Sequence, residues 1–486
     1  MEYLVIKARR IAKNSLLLFL AQAYSTLTLF IYIPLLTRYL GQENYGRYNY
    51  AYAFVGLFQV LAFFGTHQIL IRETARDKEK AGLYFGNLLI IKLVLTAITM
   101  ALILFAANLR GFSPEDRLII YICAAEMMIR IYANANVAVF RAFQRMEYEF
   151  LLLFIDRSVA LIGILLVIYF RLGLIAVFLA FLASAVMRGI VSFSISLTKF
   201  VKPRLELQFS LWKYFLAAAM PIGMSLGIRR IYERQGTVIL EGTRNIAEVG
   251  LFAGALRIYQ LTNLAASSLV GALFPIFSEL ATSSAERLIK VYQTGLKFLL
   301  LLSLPICGVI IFWADDLTRV ILGPEFVKTS MALRILAPAI ILSFLGYLSS
   351  SLLRSADQQG KDTMNWGLSL MINLLLNLLL TPRYGFTGTA LALLISEAIF
   401  SSLGLIMATR YISPVSTREV FLGPLACGLV SGVIVLALQR FISPTSFIAG
   451  AIVYLSSIYV LGILNEREKR LIRELVVAAA PWRGSP

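Results

Sequence analysis

Apolar residues in this chain come in long blocks, each able to cross the ~30 Å hydrocarbon core of a bilayer as a helix of ~20 residues. Charged residues or Gly/Pro punctuation separate the blocks, which lie near 14–38, 47–71, 83–107, 118–140, 150–170, 172–198, 212–240, 247–277, 290–313, 331–353, 363–381, 386–409, 419–439 and 445–464. A chain so built must satisfy its backbone hydrogen bonds internally, and helices are the direct way to do so. The expected fold is an all-α polytopic membrane protein with about 14 transmembrane helices. Of the 486 residues, 59% are hydrophobic and 15% charged. Soluble chains carry ~25% charged residues, so an ordinary soluble enzyme and a disordered chain are both excluded. The net charge of +18 is therefore read against a bilayer before nucleic acid is considered, and no nucleic-acid partner is expected.

Several chemistries drop out. Cys123, Cys307 and Cys427 are far apart inside apolar blocks and read as small core residues, not as a disulfide framework or a metal set. His67 is the sole histidine, which excludes a zinc site built on histidines and any Ser-His-Asp mechanism not centred on it. No Walker A sequence is present. No metal, cofactor or catalytic residue is expected. Near the start, Lys7, Arg9, Arg10 and Lys13 precede an apolar run, as in a signal peptide. The run continues to Leu36 without turning polar, so it reads as an uncleaved first span.

Loop cations set the orientation. Lys7–Lys13, Arg72–Lys80, Arg141 and Arg145, Lys199–Arg204 and Arg467–Arg473 fall on one side, which should be cytoplasmic. Sparse cations such as Arg38, Arg47, Arg110, Arg171, Arg319, Lys328, Arg383 and Arg440 fall on the other. An even number of spans puts both termini in the cytoplasm. The expected organisation is an N-lobe over 1–198, a basic cytoplasmic linker over 199–211, a C-lobe over 212–410, two further helices over 411–464 and an amphipathic cytoplasmic tail over 465–486.

The two lobes read as copies of one six-helix unit. Arg171-Leu172-Gly173, Ala176, Ala180 and Ser184 match Arg383-Tyr384-Gly385, Gly388, Ala392 and Ser396 at an offset of 212. Arg141 matches Arg354 at 213, Tyr45-Gly46 matches Val249-Gly250 at 204, and Lys92 matches Lys297 at 205. Six is even, so the copies share one topology and should be related by a pseudo-twofold axis along the membrane normal, with the last two helices outside the repeat.

A charge at the bilayer centre costs ~2.5–3.5 kcal/mol, so each one retained needs a reason. Arg130 follows Glu126 by four residues and can pair with it locally. Lys92, Arg188 and Lys297 lie within partial snorkelling range of the cytoplasmic interface. Arg229, Arg230, Arg234 and Arg257 are deeper, and Glu233 neutralises only one of them. They are the candidate wall of a cationic cavity for a phosphate or pyrophosphate, which Arg can grip in bidentate fashion. Glu233 and Glu397 are candidates for coupling or charge compensation; an acid in hydrocarbon can carry a proton or offset an arginine.

Several short motifs then fall in a familiar order. They are Ile33-Pro34 with Thr37-Arg38 and Gly41; Tyr45-Gly46-Arg47-Tyr48; Phe64-Gly65 and Ile71-Arg72-Glu73; Phe274-Pro275 with Ser278-Glu279; Leu322-Gly323-Pro324-Glu325-Phe326; and Asn373, Asn377 and Pro382-Arg383-Tyr384-Gly385 with Gly388. On these residues the chain resembles the Wzx-type polysaccharide (O-antigen) flippases of the multidrug/oligosaccharidyl-lipid/polysaccharide exporter superfamily. The resemblance implies a two-lobed V-shaped bundle with a central cavity lined by spans one, two, seven and eight. It also implies translocation of an undecaprenyl-diphosphate-linked oligosaccharide from the cytoplasmic to the outer leaflet of a plasma or inner membrane, with a polysaccharide polymerase as a pathway partner. A peptidoglycan-precursor flippase and a small-molecule exporter of the same superfamily are the alternatives; the second fits poorly with a net basic cavity. A membrane-embedded glycosyltransferase or polymerase would need a sizeable polar loop, and none here approaches domain size.

Overall fold

The computed structural model describes residues 2–411, 418–439, 445–460 and 462–463. The tail expected over 465–486 and the loop cation Arg440 lie outside the described residues. Among those described there are no strands. The chain forms α1 (Glu2–Phe63), α2 (Thr66–Arg76), α3 (Ala81–Leu109), α4 (Pro114–Ala142), α5 (Met146–Phe170), α6 (Gly173–Ile195), α7 (Phe209–Thr243), α8 (Ile246–Ser283), α9 (Ala285–Ile321), α10 (Thr329–Ser355), α11 (Gln359–Tyr411), α12 (Gly423–Gln439) and α13 (Thr445–Val460). Eleven helices among the described residues are long and apolar enough to cross a membrane.

Two of those helices are too long for one crossing. At 1.5 Å per residue α1 would run ~93 Å, about three times the hydrocarbon thickness. It covers two apolar blocks and breaks between them at Gly41 (φ 68°, ψ −178°). The 53-residue α11 does the same at Gly385 (φ 59°, ψ −137°). Both conformations have positive φ, which glycine adopts without the Cβ penalty.

The local geometry repeats at the offsets seen in the sequence. Gly173 (φ 84°) and Gly385 share a positive φ at offset 212. Arg141 at the end of α4 reaches Glu149 at the start of α5 (2.6 Å), and Arg354 at the end of α10 reaches Asp362 at the start of α11 (3.0 Å). Both members of that pair shift by 213. Gly46 and Gly250 lie against each other: a Cβ on Gly46 would run into the carbonyl oxygen of Ile246, and one on Gly250 into that of Gln42. Residues 42 and 46 map onto 246 and 250 at offset 204, so the contact is reciprocal, as a local twofold requires. Two glycines let the helices meet backbone to backbone.

The chain divides into two compact units. One runs through Gly254 and includes Thr318–Thr329 and Trp366–Ala392; the other contains Ala255–Leu317, Ser330–Asn365 and the described residues from Leu393 onward. In the first, a core of Ile69, Leu70, Phe85, Leu88, Ile91, Val139, Phe215 and Ala219 joins α2, α3, α4 and α7. The basic linker runs extended along α3: Arg204 N donates to Gly82 O (2.9 Å), and both Gln208 N (3.2 Å) and the Trp212 indole (3.0 Å) donate to Asn87 Oδ1. In the turn before α3, the Lys80 side chain, hydrogen-bonded to Asp77, holds that carboxyl below its ordinary range.

Candidate functional site

Helix α7 gathers three of the expected site residues. Arg229 Nε donates to Glu233 Oε1 (3.3 Å), and Arg230 lies 3.8 Å from Glu233 Oε2. The i, i+4 and i, i+3 spacings place all three on one face. The Arg229 guanidinium also sits 5.2 Å over the ring of Trp366, which is braced edge-on by Tyr232. Side-chain exposure is 43% for Arg229, 58% for Arg230 and 35% for Glu233. Two guanidinium groups thus share one carboxylate and stay about half-exposed. Facing lipid, each would cost ~2.5–3.5 kcal/mol, so an aqueous surface is the setting consistent with their exposure.

The other expected residues are placed differently. Arg234 turns toward α1, where its side chain lies about 3.5 Å from the position a Cβ on Gly56 would take. Arg257, half-buried on α8, and Glu397, buried on α11, belong to the second unit. Near them, buried Tyr259 and a Ser343–Asn263 hydrogen bond (2.9 Å) give that stretch of α8 a polar lining. The structure therefore brings together Arg229, Arg230 and Glu233.

A second charged cluster went unrecognised in the sequence. Arg130 pairs with Glu126 and also donates to both oxygens of Asp156 (2.7 and 2.8 Å) and to Ser184 (3.2 Å). Arg188 approaches Asp156 (3.7 Å) and donates to Asn134 (2.8 Å), while Arg157 donates to Ser25 (3.0 Å). Glu126 and Asp156 are 3% and 1% exposed. The expected Glu126–Arg130 pair is present, but it is one edge of a network across α1, α4, α5 and α6. Arg188 is tied into it and does not snorkel. The signal for Asp156 and Arg157 was available: an acid–base dipeptide inside the block 150–170.

Several of the motifs behind the family resemblance gather elsewhere, around the breaks at Gly41 and Gly385 in the first unit. Arg38 donates to Val320 O (2.6 Å), Gln42 to Glu325 O, and Tyr45 packs edge-on against Phe326. Arg244 donates to the carbonyls of Pro382 (2.7 Å) and Arg383 (2.8 Å), and Phe386 N donates to Glu248 (2.9 Å). These side chains satisfy carbonyls and amides freed where helices end or break. They stabilise the helix breaks, away from Arg229, Arg230 and Glu233. No group of three His, Cys, Asp or Glu that could hold a metal occurs among the described residues, and the three cysteines are buried and free.

Residues 11–281 match the family model described as "Polysaccharide biosynthesis protein". A probable low-salt glycan biosynthesis flippase from Haloferax volcanii is 24% identical over 391 residues, 80% of this chain and 81% of that protein. Among solved structures, the lipid II flippase MurJ in an inward closed conformation aligns with TM-score 0.78 at 15% identity, over 92% of this chain and 98% of that one. An inward-facing multidrug resistance MATE family transporter of the MOP superfamily aligns with TM-score 0.63 at 17% identity, over 80% and 94%. These structural likenesses show the fold.

Proposed function

The chain belongs to the polysaccharide biosynthesis protein family, and from that premise we propose that it is a flippase for a lipid-linked oligosaccharide. The cargo is an undecaprenyl-diphosphate-linked repeat unit, carried from the cytoplasmic to the outer leaflet of a plasma or inner membrane by alternating access. The likeness to a glycan biosynthesis flippase supports the cargo class. The single observation that carries the mechanism is the pair of half-exposed guanidinium groups on α7 that share the Glu233 carboxylate inside a membrane helix.

A diphosphate must be held during reorientation and then released. Arg supplies bidentate donors for the hold. Glu233 competes for the same donors and keeps the hold from becoming a trap. In this reading Arg257 and Arg234 are further cations for the anionic cargo, and Glu397 compensates charge or carries the coupling proton. Residues 1–198 and 212–410 act as the two lobes, with Lys78, Lys80, Arg141, Arg145 and Lys199 on the cytoplasmic side. The protein works on a lipid in the bilayer, upstream of a polysaccharide polymerase.

The test is complementation. A flippase-deficient strain supplied with the cognate glycan pathway should regain surface polysaccharide with the wild-type chain, and a strain depleted of its lipid II flippase should not be rescued. Rescue of the second strain alone would replace this cargo with the peptidoglycan precursor.

A further inference from the structure

The block 47–71 reads as one continuous span, yet the structure breaks it. Helix α1 stops at Phe63, Phe64 (φ 40°) and Gly65 (φ 66°) are both left-handed, and α2 starts at Thr66. A helix end leaves its last carbonyls without helical partners and carries the negative end of the helix dipole. Here two of those carbonyls, one buried and one part-buried, are met by one side chain. Lys92 of α3, 0% exposed, donates from Nζ to Ala62 O (2.7 Å) and Phe63 O (2.6 Å), with the Phe63 ring 5.6 Å away. It does not snorkel to the interface, and no carboxylate among the described residues pairs with it.

The other side of the break rests on α7. A Cβ on Gly65 would lie 2.9 Å from Gly223 N, and one on Gly223 would lie 3.2 Å from Phe64 C and O. Two residues before Gly223, Pro221 lacks the N–H that would bond to Ala217 O, so α7 is weakened at the same level. Beyond the break, Tyr214 at the start of α7 donates to Glu73 of α2 (2.9 Å), and Arg72 donates to Tyr214 (3.1 Å). His67 anchors the near side: its Nε2 meets Ile131 O (3.3 Å) and its ring stacks on Phe63 (5.0 Å).

We propose that Lys92 is a positioning residue for transport: its ammonium latches the α1–α2 bend against the Pro221–Gly223 point of α7, the helix that carries Arg229 and Arg230. The latch replaces two helical hydrogen bonds that a straight helix would make for itself. Without it, these carbonyls recover partners only if the break straightens or water enters. Straightening moves α2 relative to the start of α7. The transport consequence rests on the flippase reading; the geometric one does not.

Spin labels at Ala75→Cys on α2 and Lys213→Cys on α7 report the bend, both positions being exposed and the native cysteines buried. Lys92→Met, which removes the donors, should displace the inter-label distance in purified protein. At normal membrane levels it should lower surface polysaccharide by about tenfold, given two orphaned carbonyls. Lys92→Gln keeps two N–H donors without the charge and should recover part of both. Wild-type distances in Lys92→Met, or Gln and Met variants alike in both readouts, overturn the proposal. If Lys92→Met does not accumulate, Gly65→Ala attacks the same bend through its left-handed φ; a wild-type distance there overturns the proposal equally. Displaced distances in a protein whose wild type fails every complementation leave the latch standing and remove the flippase reading.

Discussion

Two sets of intramembrane charges use the same local spacing and end in opposite states. Glu126 and Arg130 are four apart on α4; Arg229 and Glu233 are four apart on α7. On α4 the acid is 3% exposed, α5 and α6 bring Asp156, Ser184 and Arg188 to the pair, and Arg188 in turn donates to Asn134 of α4. On α7 the pair stays 43% and 35% exposed, and a second arginine competes for the one acid. Closure comes from α5 and α6, not from the pair. A buried network joined across helices holds them together, while half-exposed groups can exchange their partners for a ligand.

The largest break in this comparison should come from Asp156→Asn. It removes the carboxylate that Arg130 and Arg188 share and leaves buried guanidinium charge behind. Losing one partner of a buried ion pair costs ~3–5 kcal/mol. The variant should fall in membrane level and melting temperature, with transport lost in proportion to the protein present. Normal accumulation with selective loss of transport would move this network from structure to function.

On α7 the order should reverse, with stability kept and transport lost. Arg230→Ala gives up a charged contact worth on the order of 1.5–3 kcal/mol, a roughly ten- to hundredfold loss. Arg230→Lys keeps the charge without the fork and should fall between. Arg257→Ala and Arg257→Lys should rank the same way. Surface polysaccharide per unit of membrane protein is the measurement. Wild-type levels in Arg230→Ala, Arg257→Ala and their combination would make these arginines structural.

Much of this was legible because it is written along the chain. Block length located the membrane helices, and the glycine and arginine offsets gave the repeat. What escaped is what depends on a partner from another helix. Nothing local distinguishes Lys92 capping a broken helix from a snorkelling lysine, since the carbonyls it meets lie on α1 and belong to a bend the apolar pattern does not mark. Asp156 shows its role only once α4 and α6 lie beside α5. Phe64-Gly65 was noted as a motif, but its left-handed backbone was not.

The reciprocal glycine crossing sharpens the repeat at intermediate cost. A methyl group at Gly46 or Gly250 meets a carbonyl oxygen, and overpacking of this kind costs ~1–3 kcal/mol. The two alanine variants should lower the melting temperature by similar amounts. Because each forces the same pair of helices apart, the double variant should cost less than the sum of the two. Full additivity would mean that the two glycines do not share one contact.

The smallest effect expected is at Arg141 and Arg354, and its value lies in the equality of two numbers. Each ends a helix, and each pairs with an acid eight residues on, Glu149 or Asp362. Both arginines are partly exposed, at 48% and 40% of their side chains, while the acids are 14% and 4% exposed. Solvent screens such pairs, so Arg141→Ala and Arg354→Ala should each cost no more than about 1 kcal/mol. The better-buried acid, Asp362, also accepts from Ser350 (2.6 Å), which leaves it a partner after Arg354 is removed. Greater burial raises the cost of losing the arginine and the retained hydrogen bond lowers it, so the two variants should match within the scatter of a melting measurement. A loss several times larger at one site would show that the two copies of this corner carry different loads despite sharing one geometry.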